Sequence, residues 1–75
     1  MTNQARRLLA RARHTQYGWK SRDLERLYRA FGFEVREGSD RRLYWHPLQL
    51  DLTATVTRSS RSLHPDYVRH AIHLI

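Results

Sequence analysis

Seventy-five residues with a formal net charge of +7 and no cysteine describe one small basic domain. That size excludes a two-domain enzyme, a barrel with a loop-built active site and a doubly wound nucleotide-binding sheet. The missing cysteines exclude disulfides and zinc–thiolate centres. In chain order, Asn3 is placed to cap a helix over about residues 4–16, whose apolar stripe is Ala5, Leu8, Leu9 and Ala12. Arginines fill its other faces, and Gly18 is suited to end it in the left-handed conformation. Ser21 is the expected cap of a second helix over about 22–31. Asp23 and Glu25 fall in its first turn, Leu24, Leu27, Tyr28 and Phe31 form its stripe, and Gly32 stops it.

Phe33 to Glu37 alternates as a short strand, and Gly38-Ser39-Asp40 turns the chain. Leu43 to His46 reads as a second strand, stopped by Pro47. Leu48, Leu50, Leu52, Ala54 and Val56 then alternate with Gln49, Asp51, Thr53, Thr55 and Thr57, the clearest period-two pattern in the chain. This third strand has one face for a core and one for solvent or a ligand. A serine–arginine loop, residues 58–62, leads to a last helix opened by His64 and Pro65. Leu63 and Val68 have the spacing of a hydrophobic staple, and Tyr67, Val68, Ala71, Ile72 and Ile75 form its buried stripe. Both flanking helices are expected on one face of the sheet, leaving the other face open.

Thirteen of the fourteen cations are arginine, and residues 1–20 carry Arg6, Arg7, Arg11, Arg13 and Lys20 without one acid. Guanidinium forks match phosphates and stack on bases, so the bias suits nucleic acid. Trp19, Tyr44 and Trp45 are candidate base-stacking aromatics. His70 and His73, three apart, read as a solvated helix face. His64 reads as a helix-start residue and His14 as a helix-end residue.

Residues 21–75 resemble the HicA toxins, small ribonucleases of type II toxin–antitoxin pairs. The resemblance rests on Asp23-Leu24, Leu27, Phe31-Gly32-Phe33-Glu34, Gly38-Ser39, Tyr44, His46-Pro47, Ala54-Thr55-Val56, Leu63-His64-Pro65-Asp66-Tyr67-Val68 and Ala71-Ile72. It covers about three-quarters of the chain. It implies an α+β fold similar to the double-stranded-RNA-binding domain (dsRBD-like), helix–three-stranded antiparallel sheet–helix. Residues 1–20 would then be an added basic helical extension. It also implies metal-independent endonuclease cleavage of mRNA without a cofactor, and neutralisation by a HicB-like antitoxin. No membrane partner is expected: no apolar run approaches the ~18 residues of a span. The basic N-terminus lacks a signal peptide's apolar core and cleavage site, so a cytoplasmic protein is expected.

In the family, a histidine that follows the Gly-Ser turn does the proton work. Here Gly38-Ser39 leads into Asp40-Arg41-Arg42, and alignment on Tyr44 and His46-Pro47 puts Arg41 in the histidine's place. An arginine stays protonated and cannot act as a base, but it can hold a phosphate. His46 is the candidate relocated base, with a strand-end structural role as its alternative; Asp40 reads as a turn residue. The candidate RNA-binding residues are Arg36, Arg41, Arg42, Arg58 and Arg61. Arg41 and Arg42 must point to opposite faces of a strand. The alternative function is an inactive RNA-binding or antitoxin-binding module on the same fold.

Overall fold

A computed structural model of the chain describes residues 3–58 and 61–75. The order is α1 (Asn3–His14), α2 (Ser21–Ala30), β1 (Glu34–Glu37), β2 (Arg41–His46), β3 (Gln49–Thr57) and α3 (Pro65–Leu74). The class is α+β, as expected. Ser59 and Ser60 of the expected serine–arginine loop lie outside the described residues.

Element ends follow local hydrogen bonding. The second helix starts at Ser21 rather than being capped by it. The Lys20 carbonyl accepts from the Leu24 N–H at 3.1 Å, and the Lys20 N–H donates to Asp23 Oδ2 at 3.0 Å. That backward reach of an acid in the first turn satisfies a donor the helix leaves over. Ser21 is instead buried, and its hydroxyl accepts from Arg42. Gly18 and Gly32, at φ of 77° and 88°, adopt the left-handed backbone after the first two helices. At α3 the His64 ring Nδ1 accepts the Asp66 N–H at 3.1 Å, Pro65 begins the helix, and Leu63 and Val68 are both buried.

The sheet is antiparallel in the order β1-β2-β3. Its rows are Glu34–Trp45–Thr53, Val35–Tyr44–Ala54, Arg36–Leu43–Thr55 and Glu37–Arg42–Val56, and Arg41 pairs with Thr57. The second strand begins at Arg41, earlier than the apolar pattern indicates, because Arg41 and Arg42 still find partners in β3. Tyr44, Ala54 and Val56 are buried beneath α2 and α3 together with Leu24, Leu27, Val68 and Ala71. Residues 1–20 contribute Ala12 and Trp19 to the same cluster, and Leu8 and Leu9 pack against it. Among the described residues, no helix is long and apolar enough to cross a membrane.

The apolar face of β3 outruns its cover. Ala54 and Val56 are buried, but Leu48 is 86% and Leu50 72% exposed, and Leu48 sits in the turn rather than in the strand. A ten-residue helix is about 15 Å long and a nine-residue strand about 30 Å, so α3 can cover only part of it.

Leu27 is fully buried. Its replacement by alanine is expected to cost about 2–5 kcal/mol, comparable with the whole stability of a domain this small. Leu48→Ala should stay within about 0.5 kcal/mol of the parent. Urea denaturation followed by circular dichroism checks both, and equal losses would contradict the packing described.

Candidate functional site

Side chains alternate along a strand, so one buried residue orients its neighbours. Tyr44 is fully buried on the helix side. Arg42 therefore turns inward, while Arg41, Leu43 and Trp45 face the uncovered side. The uncovered face carries Glu34, Arg36, Arg41, Leu43, Trp45, Thr53, Thr55 and Thr57, most of them exposed. Arg36 and Arg41 make no ion pair among the described residues. They lie toward the β1–β2 turn, whereas Glu34 and Asp51 lie toward the β2–β3 turn. The face is thus cationic at one end.

Arg42 is spent on the interior. Its Nε lies 3.0 Å from Glu37 Oε1. One terminal nitrogen is 3.4 Å from Glu25 Oε1 and 3.3 Å from the Ser21 hydroxyl. Burial works against its charge, but the adjacent Tyr44 hydroxyl and the Glu25 and Glu37 carboxylates more than offset this, and its pKa is raised. Arg58 also works within the fold. It donates to the Gly38 carbonyl at 2.9 Å and lies 3.8 Å from Glu37, holding the β1–β2 turn closed. Arg61 is exposed.

His46 is not brought to Arg41. Its ring packs edge-on against Phe33 at 5.0 Å, on the helix side, and a Cβ on Gly32 would meet its Nε2 at 3.2 Å. Its Nδ1 accepts the Leu48 N–H at 3.2 Å, so the histidine braces the β2–β3 turn. Asp40 is exposed in the β1–β2 turn, where its carbonyl accepts the Arg58 N–H. Of the stacking candidates, Trp19 is fully buried and donates to the Thr15 carbonyl at 2.9 Å, with the Arg11 guanidinium 4.4 Å above its ring. Tyr44 is buried as well. Trp45 alone of the three is on the uncovered face. Neither Trp19 nor Tyr44 is open to a base.

Sequence reasoning missed two features. Arg22, Arg26 and Arg29, at i, i+4 and i+7, form an exposed cationic stripe on α2. Their spacing was legible. The second feature is a cleft of about 550 Å³ between the free edge of β3 and the start of α3, lined by Thr53, Thr55, His64, Asp66, Tyr67 and His70. Thr55 and Tyr67 also line a second, neighbouring hollow of about 310 Å³ together with Asp40, Arg41 and Thr57. The three-residue spacing of His64, Tyr67 and His70 hinted at a shared face, but the strand edge opposite them is a tertiary matter. His73 is exposed and does not line this groove. No family model, no curated protein and no solved structure matches this chain.

Tyr28 and Tyr44 stack at 4.5 Å, and among the described residues neither buried hydroxyl finds a hydrogen-bond partner. Burial raises both pKa values; the neighbouring Tyr44 adds to the effect at Tyr28, and Arg42 partly opposes it at Tyr44. A phenol ionises near pH 10 when unfolded. The folded chain keeps these protons above that pH, so their contribution is present below about pH 10 and is lost as pH climbs toward the raised folded values. Stability is expected to fall steeply above about pH 10. Tyr28→Phe should reduce that fall and cost no more than about 1 kcal/mol at neutral pH, since no hydrogen bond is removed. Urea midpoints measured on both sides of pH 10 check this; an unchanged alkaline slope in Tyr28→Phe would contradict it.

Proposed function

We propose that this chain is a HicA-like toxin component that binds messenger RNA at the cationic end of its uncovered sheet face. The observation that carries the reading is the pair Arg36 and Arg41, both exposed and, among the described residues, without an ion pair, at one end of the uncovered sheet face that also carries Leu43 and Trp45. Three further facts support it. The helix–three strands–helix order of residues 21–75, with helices on one side, suits a dsRBD-like domain. The net charge is +7. Arginine forks grip phosphate in two places at once. Arg41 holds a phosphate and stabilises charge on it; it moves no proton. A HicB-like antitoxin, met in the cytoplasm, neutralises the chain by covering this face. Arg41 in the place of the family's histidine favours a second reading, an RNA-binding or antitoxin-binding module on the same fold that does not cut.

Binding of a labelled single-stranded RNA, followed by anisotropy in EDTA over a salt series, tests the reading. The affinity is expected to fall linearly in log–log form, and Arg41→Glu or Arg36→Glu should each lower the slope by about 0.7 per lost phosphate contact. Arg13→Glu, on α1, should change the slope less. RNA binding that is salt-independent, or weakened equally by all three changes, would refute the sheet-face assignment.

A further inference from the structure

We propose that the leucine-bearing end of β3 docks against the same segment of a second copy of this chain, about a two-fold axis. The inference is independent of the RNA-binding reading. Leu48 and Leu50 are the two most exposed large apolar side chains among the described residues. Leu52, next in the row, is half-buried and packs against the core cluster. Leu50 and Leu52 share a face of the strand with the buried Ala54 and Val56. The row therefore carries the apolar core of each copy outward to a place where its cover stops.

The backbone is as open there as the side chains. β3 is an outer strand, with β2 as its one strand neighbour among the described residues. Thr53 pairs with Trp45 and Gln49 with His46, and the ladder gives Leu50, Asp51 and Leu52 no partner in β2. Edge strands are commonly blunted by lysine or proline. β3 contains neither.

Charge selects the occupant. Residues 43–57 hold no lysine or arginine, the longest such run in the chain, and all 14 of those cations lie outside it. Two copies at +7 each repel one another through most of their surfaces. They meet at least cost where this cation-free run is exposed. An acidic partner gains no attraction there, because the one formal charge within β3 is the negative Asp51, which by alternation points away from the leucines. Leucine against leucine is self-complementary, so the contact is the same on both copies and closes at two. Arg36 and Arg41 lie toward the other end of the sheet and stay open in the pair. Covering two exposed leucines from each copy makes a small interface, and an association of micromolar strength is expected.

Sedimentation velocity of the full chain over roughly 1 to 500 μM tests this. The mass is expected to rise from the 9.0 kDa monomer toward twice that value and no further. Leu48→Lys and Leu50→Lys should each weaken the dimer at least ~10-fold, with unchanged circular dichroism because both positions are exposed. Tyr17→Lys, at a 66% exposed aromatic between α1 and α2, should leave it intact. Raising the salt should strengthen the dimer by screening the like charges, the reverse of the effect expected on RNA binding. A monomer at every concentration overturns the proposal. So does a dimer that both leucine variants retain, one that salt dissociates, or association lost equally in Tyr17→Lys.

Discussion

The stack of Tyr28 on Tyr44 ties the second helix to the middle strand, and the placement of every other strand residue follows from it. Because strand side chains alternate, a buried Tyr44 sends Arg42 inward and Arg41 outward. The same alternation faces Trp45 and Leu43 away from the helices. A register slip of one residue would exchange the two sets and bury Arg41 among apolar side chains. The cost of an unpaired buried charge makes that alternative inaccessible. Arg42 can occupy the inward position because Glu25, Glu37 and the Ser21 hydroxyl meet it there.

Charge in this chain is sorted by geometry rather than by composition. Arginines that look equivalent in the sequence divide into those that hold the fold and those that face outward. Arg42 and Arg58 share Glu37 and lock the hairpin of β1 and β2. Arg11 lies over Trp19 and 3.9 Å from Asp23, joining the first helix to the second. Arg36 and Arg41 remain on the uncovered face. Exposed ion pairs contribute little each, so the fold rests on apolar packing with the inward pairs fixing orientation. The outward cations make one end of that face electropositive.

Much of the architecture was legible because each local signal agreed with the next. The leucine and alanine stripes of α1 and α2, the glycines at 18 and 32, the alternation from Leu50 to Val56 and the Pro65 helix start all have short-range causes. Misplacements occurred where a long-range partner intervened. Ser21 is drawn into the interior by Arg42, and Leu48 and Leu50 keep an apolar pattern beyond the reach of the covering helices. The candidate site was legible only in part. Arg36 and Arg41 stand on the open face, but His46 turned to brace a loop, and Trp19, an apparent stacking platform, is core.

Residue types and their spacing settled the class of fold, the number of elements, the one-sided sheet and the excess of arginine, because each depends on contacts within a few positions along the chain. Spacing also settled that Arg41 and Arg42 diverge. Which of them faces inward depended on where Tyr28 meets Tyr44, a contact between residues 16 positions apart in the chain. The cleft lined by Thr53, Thr55, His64, Tyr67 and His70 likewise needed α3 to pack beside β3. Periodicity says which residues share a face, but only the packing of one element on another says what that face meets.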